Sequence, residues 1–150
     1  NALLVAAWFH DTGYSRLYEG HEAVSVEIAG LFLRDNQAAE PLIEKVSACI
    51  MATKMPQSPT SLIAEILCDA DLLHLGTERF FEENKLLRKE LIETHGVKIS
   101  KKAWRKQTSK FLQQHKYFTK LHAGIAGKKP IGYFQQHAFI ILEQYPHFKI

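Results

Sequence analysis

The sequence predicts an all-α protein, a single-domain bundle of about seven helices, on three observations. Apolar residues recur at intervals of three and four through most of the chain. No segment alternates apolar and polar residues as a half-buried strand does. Gly, Pro, Ser and Thr stand between the periodic stretches, where helices begin and end.

The elements follow in chain order. Ala2 to His10 is apolar on nearly all sides, and Asp11-Thr12-Gly13 stops it, with Gly13 suited to a left-handed C-terminal position. From His21 to about Leu33, Val24, Ile28, Leu31 and Phe32 mark one helical face, and Arg34-Asp35-Asn36-Gln37 ends it. Pro41 suits the first turn of a helix through Ile43, Val46 and Ile50. Lys54 to Pro59 is a loop, because its two prolines cannot sit inside a helix. Thr60 or Ser61 caps the next helix, expected to run to Gly76. Thr77 caps another that ends at His95-Gly96, and Ser100 opens a basic amphipathic helix through Trp104, Phe111 and Leu112. Gly124, Gly127 and Pro130 break the chain before a last helix over Tyr133 to Tyr145. Its Tyr133, Phe134, Phe139, Ile140 and Ile141 suit either core or an interface.

A chain of 150 residues can bury enough surface to fold without disulfides or a structural metal. A hydrophobic share of 46% with 23% charged residues excludes disorder and collagen-like or disulfide-scaffold classes. Cys49 and Cys68 sit in apolar stretches, as reduced buried thiols do. The net charge of +3 suits a phosphate-bearing ligand without demanding nucleic acid. The longest apolar run, Ala2 to Phe9, is far short of a membrane span and lacks the flanks of a signal peptide. A soluble, cytoplasmic protein is expected. Because domains rarely begin inside an apolar helix, the natural chain is expected to continue upstream of Asn1.

Two segments carry the chemistry. His10-Asp11 places an imidazole and a carboxylate at the rim of a packed helix, a pairing that suits divalent first-row metals; the plainer reading is a helix-ending pair with a solvated Asp11. Cys68-Asp69-Ala70-Asp71-Leu72-Leu73-His74 puts two carboxylates in an apolar helix, which is costly unless they are paired, hydrogen-bonded or metal-bound. Asp69 and Asp71 stand about 200° apart on a regular helix, so they cannot both face one ion. Ile63, Ile66, Leu67, Ala70 and His74 share a face, and Asp71 lies nearer its centre. Asp71 is therefore the better ligand, and Asp69 is left to support it or to face solvent. His74, at i,i+3 from Asp71, is placed to orient that carboxylate or to meet substrate.

His21 opens a helix about ten residues after the first pair and could reach a phosphate or a second metal; a capping or surface role is the alternative. Glu22 suits a general base, or a carboxylate favouring the positive helix end. Lys54 suits a phosphate contact, or simple solvation. His115 and His122 are read as structural. The run Lys98, Lys101, Lys102, Arg105, Lys106, Lys110, Lys116 and Lys120, interleaved with Trp104, Phe111, Tyr117 and Phe118, resembles a nucleic-acid surface. It is read instead as a solvated basic face with aromatics turned inward. No Gly-rich phosphate loop, nucleophile elbow, paired CxxC or HExxH occurs.

Ala6-Ala7-Trp8-Phe9-His10-Asp11-Thr12-Gly13-Tyr14, followed by Asp69-Ala70-Asp71-Leu72-Leu73-His74, resembles the HD-domain superfamily of metal-dependent phosphohydrolases. Gly20-His21-Glu22 and Ala52 to Gln57 are similar to a bacterial branch of predicted HD phosphohydrolases. The resemblance covers about residues 1 to 95, with 96 to 150 a C-terminal helical extension. It implies that His10, Asp11 and Asp71 bind a divalent metal ion: manganese, magnesium, iron or zinc. A leading histidine of the family would lie before Asn1, and Thr53-Lys54 stands where two-metal members carry another histidine, which favours one metal. Asp11, His21, Glu22 and Lys54 are the implied catalytic residues. The ion would offset charge on a phosphate oxygen and acidify a coordinated water.

The implied function is hydrolysis of a phosphoester in a nucleotide or similar small phosphorylated molecule. The alternative is a catalytically weak or inactive HD module that binds a nucleotide and regulates a partner or adjoining domain. Nucleic acid is not the expected partner, no membrane segment is expected, and a homo-oligomer is left open.

Overall fold

The computed structural model describes residues 1–77 and 79–120, and every regular element among them is helical. The chain divides into two compact units, Asn1–Asp71 and a second that begins at Leu72, so the change of unit precedes the end of the motif-bearing part near residue 95.

The first unit holds α1 (Ala2–Phe9), α2 (His21–Asp35), α3 (Glu40–Ala52) and α4 (Leu62–Asp71), with a short 3-10 helix, Thr12–Ser15, between α1 and α2. The central helix is α3, packed against α1, α2 and α4. Its Ile43, Val46 and Ile50 recur at helical spacing and are buried with Cys49. They meet Ala6 of α1, Ala29 and Leu33 of α2, and Ala64, Leu67 and Cys68 of α4. Four of the buried residues are alanines (Ala6, Ala29, Ala52 and Ala64), and such small side chains let helix backbones approach closely. Removing apolar surface from water contributes about 1.5–3 kcal/mol for a fully buried side chain such as Ile50.

The helix ends explain where the chain turns. α2 closes in a two-bond cap: Ala38 N donates to Leu33 O and Gln37 N to Arg34 O, both at 2.9 Å. Gln37 takes the left-handed conformation (φ 57°) that such a cap needs and that glycine usually supplies. Pro41 lies in the first turn of α3, as expected. Of the two proposed caps for α4, Ser61 is the one used, its Oγ accepting from Ala64 N at 3.4 Å.

Three expectations are corrected. α4 ends at Asp71 rather than Gly76, because the chain tightens into a 3-10 helix over Leu73–Gly76; His74 therefore does not share a helix face with Asp71. Thr77 does not cap the following helix, since its hydroxyl donates to His74 O at 2.9 Å and Arg79 holds the cap position. Gly13 is not left-handed, the positive-φ glycines among the described residues being Gly20 and Gly96.

In the second unit, α5 (Phe80–Glu93) and α6 (Lys101–Gln114) follow that 3-10 helix. Among its described residues Leu75, Phe80 and Leu112 are buried together, with Phe81 and Phe111 packed alongside. Thr108 Oγ1 donates to Asn84 Oδ1 at 3.3 Å, and Arg88 holds Ile99 O at 2.8 Å, tying the connecting loop to α5. Ser100 caps α6 as expected, accepting from Ala103 N at 3.1 Å. His115 packs edge-on against Tyr117. His122, the breaks at Gly124, Gly127 and Pro130, and the helix expected over Tyr133 to Tyr145 lie outside the described residues. Six α-helices and no strand are present among those described, and none of these helices is long and apolar enough to cross a membrane.

Candidate functional site

His10 follows the last residue of α1, and its Nδ1 lies 2.9 Å from Ala7 O. A carbonyl oxygen can only accept, so Nδ1 carries the proton and Nε2 is the nitrogen presented to other partners. Nε2 stands 3.2 Å from Asp11 Oδ2 and 3.6 Å from Asp71 Oδ1. Adjacent residues within a regular helix point about 100° apart. The pair meets here because the helix has ended and Asp11 opens the 3-10 turn.

That turn docks on α2 through Gly13. Its buried N–H donates to Ser25 Oγ at 2.8 Å, and a Cβ at this position would stand 1.9 Å from His21 O. The glycine is required for close approach, not for a left-handed backbone. The approach brings His21 to the pair, with Nε2 3.5 Å from Asp11 Oδ1. His21 Nδ1 faces Tyr18 O at 3.2 Å, the same arrangement as His10 with Ala7, and Glu22 Oε2 at 3.8 Å. The Tyr14 ring stacks on the imidazole, centroids 3.7 Å apart at 18°. Glu22 is buried beside it.

Asp71 arrives from the C-terminal end of α4, continuing the stripe of Ala64, Leu67 and Cys68 at i, i+3, i+4 and i+7. Its Oδ2 accepts from Gln57 Nε2 at 3.3 Å, and the same amide nitrogen donates to Cys68 O at 3.2 Å. Gln57 thus fixes the carboxylate from the loop between α3 and α4. Asp69 is not solvent-facing: it is fully buried, although it stands about 140° round the helix from Ala64. Packing covers a flank of α4 that apolar periodicity does not mark. Ala70, expected on the buried face, is exposed. Lys54 is exposed in the loop after α3.

The electrostatics follow from these contacts. Hydrogen bonds to Asp11 and then Asp71 push His10 up to about 10, against the opposing effect of burial. The His10 hydrogen bond in turn holds Asp11 below the usual carboxylate value. Burial, with the Asp11 charge next, pushes the Tyr14 hydroxyl up to about 12. A neutral phenol therefore stacks on His21 across the physiological range.

His10, Asp11, His21 and Asp71 are thus drawn together, with Glu22 against His21. Tyr14 and Gln57 join them without having been singled out by the sequence. The one available signal for Gln57 was its place in a short loop bracketed by Pro56 and Pro59. Imidazole and carboxylate donors bind divalent ions at about 2.0–2.2 Å, which sets neighbouring donor atoms about 3.0–3.5 Å apart. The separations around His10 and Asp11 are of that order, and the donor types suit such an ion. Among the described residues, however, no group of three or more His, Cys, Asp or Glu side chains forms a ready cage for a metal. The carboxylates instead close on His10, whose second proton supplies the positive charge between them.

Comparison with models of known families, with curated proteins and with solved structures returns no match for this chain.

Proposed function

We propose that this chain is a metal-dependent phosphohydrolase of the HD type, acting on a phosphoester of a nucleotide or similar small phosphorylated molecule. The observation that carries the reading is the approach of His10 to both Asp11 and Asp71, residues sixty apart in sequence, at 3.2 and 3.6 Å. His10, Asp11 and Asp71 would hold the divalent ion. When bound, that ion would offset charge on a phosphate oxygen and acidify a water.

The remaining work falls to the chain's own side chains. His21 presents Nε2 on the same side as Asp11, and its Nδ1 is engaged by Tyr18 O, so Nε2 is the nitrogen turned toward a phosphate oxygen and donates to it when the ring carries its second proton. Tyr14 keeps that ring in plane by stacking. Gln57 steadies Asp71, and Glu22 stands against His21 as a proton acceptor. Lys54, exposed in the neighbouring loop of the same unit, supplies a cation for the substrate's phosphates.

That no ready three-ligand cage stands among the described residues favours one second reading, a module that binds a nucleotide without turnover. One experiment separates the two. The protein is incubated with manganese, freed of excess ion and assayed for bound metal and for phosphate release from a panel of nucleotides, beside Asp71→Asn. Bound manganese and phosphate release, both lost in Asp71→Asn, are expected. Nucleotide-induced thermal stabilisation with neither metal nor product would establish the second reading and overturn the first.

A further inference from the structure

Tyr14 is held at three points, and none of them is its hydroxyl. Its backbone N–H donates to Asp11 O at 3.1 Å, which ties it to the 3-10 turn that Asp11 opens. Its ring lies on the His21 imidazole, centroids 3.7 Å apart at 18°. The Tyr18 ring meets it at a tilt, centroids 5.8 Å apart at 47°. The hydroxyl makes no hydrogen bond with any described residue, and Tyr14 is 49% exposed.

An unbonded phenol in open water needs no account, but this one stands at the candidate site. The imidazole that carries the ring has its Nε2 3.5 Å from Asp11 Oδ1, so stacking sets the phenol against the same corner as His10, Asp11 and His21. Burial and then the charge of Asp11 act on the hydroxyl most strongly, with Tyr18, Glu22 and Asp71 adding to them. Those carboxylates come from three places, the end of α1, the first turn of α2 and the end of α4. One hydroxyl is therefore within electrostatic reach of all three.

The corner is rich in acceptors. Asp11, Glu22 and Asp71 can only accept hydrogen bonds when ionised, and they repel an approaching anion. A phosphate group brings several oxygens, each of which is best met by a donor. His21 Nε2 donates only when its ring carries the second proton. The phenol keeps its proton up to about 12 and so donates throughout the working range of pH. It adds no charge, and the turn and the stack have already ordered it, so binding does not have to.

We propose that Tyr14 is a substrate-binding residue whose hydroxyl donates to an oxygen of the substrate's phosphate group. The role rests on the phosphate chemistry proposed above, but not on turnover.

Tyr14→Phe isolates the hydroxyl, because phenylalanine keeps the ring, the stack on His21 and the backbone bond to Asp11. Inorganic phosphate is titrated calorimetrically into the full chain, incubated with manganese, for the unaltered protein and the variant. The variant should bind phosphate about tenfold more weakly or worse, the loss expected for one hydrogen bond to a charged group. Its thermal midpoint and manganese affinity should match those of the unaltered chain. With a nucleotide that is hydrolysed, KM should rise about tenfold while kcat changes little, the mark of a contact made equally before and during reaction.

Equal phosphate affinity in the two proteins overturns the proposal, whether or not nucleotides are hydrolysed. Failure of the unaltered chain to bind phosphate does so as well. A fall in manganese affinity as large as that in phosphate affinity would make Tyr14 a support for the metal ligands and also overturn it. Phosphate binding that weakens in Tyr14→Phe, without release from any nucleotide, sustains the role of Tyr14 and removes the hydrolase reading instead.

Discussion

Asp11 stands between two histidines, with Oδ2 3.2 Å from His10 Nε2 and Oδ1 3.5 Å from His21 Nε2. One carboxylate therefore joins the end of α1 to the start of α2. Asp11→Asn keeps the shape and removes the charge. In the proposed enzyme it should weaken manganese binding about a hundredfold, measured by calorimetric titration, with little loss of thermal stability because the carboxylate is more than half exposed. Unchanged manganese affinity would remove Asp11 from the ligand set.

Gly13→Ala tests the docking of the turn. The added methyl would overlap His21 O, which belongs to backbone and cannot swing aside. Overpacking of this kind costs about 1–3 kcal/mol or more, and the displaced turn strains the buried bond from Gly13 N to Ser25 Oγ. Urea denaturation should show that loss, and manganese affinity should fall with it because His21 parts from Asp11. A variant as stable as the parent would mean the turn relaxes freely.

Gln37→Gly should act in the opposite direction. Gln37 holds a left-handed conformation at φ 57° while its N–H and that of Ala38 close the end of α2. Relief of a backbone cost of about 1–2 kcal/mol, offset by glycine's greater freedom when unfolded, leaves a gain of about 0.5–1 kcal/mol. The midpoint of thermal unfolding should rise by about 1–4 °C. A lowered midpoint would show that the Gln37 side chain contributes more than its backbone costs.

The two cysteines predict a pH dependence. Burial, with the charges of Asp71 and Asp69 adding to it, pushes the Cys68 thiol up to about 12, and burial raises Cys49 as well. Cys68 Sγ also donates to Ala52 O at 3.2 Å. The unfolded chain therefore ionises first, near a pH of about 8.5. The stability tied to Cys68 is intact below that pH and is lost as pH climbs toward about 12. At pH about 8.5 the folded protein should react with iodoacetamide about a hundredfold or more slowly than the protein in urea. Equal rates would place Cys68 outside the core.

Much of this was legible in the sequence, and the reasons differ by residue. Val46 and Ile50 announce α3 because helical periodicity is local, and Ser100 announces α6 because a cap bonds within three residues. His10, Asp11 and Asp71 stood out because polar groups at the edge of apolar helices need partners. Gln57, Tyr14 and the burial of Asp69 were not legible. Each depends on how separate helices approach, which periodicity along one helix does not encode. Gly13 was visible as a glycine but assigned the wrong purpose, since its constraint is the distance to His21 O.

His10 and His21 share one device, each ring nitrogen Nδ1 set against a carbonyl three residues earlier. Folding has therefore already removed the rotational freedom of both side chains. An anion or cation that arrives at their Nε2 atoms does not have to order them, which spares about 0.5–1.5 kcal/mol of entropy for each ring. Recognition at this corner of the first unit is consequently rigid, rewarding a ligand of the right span and giving a poorly matched one no opportunity to remodel the site.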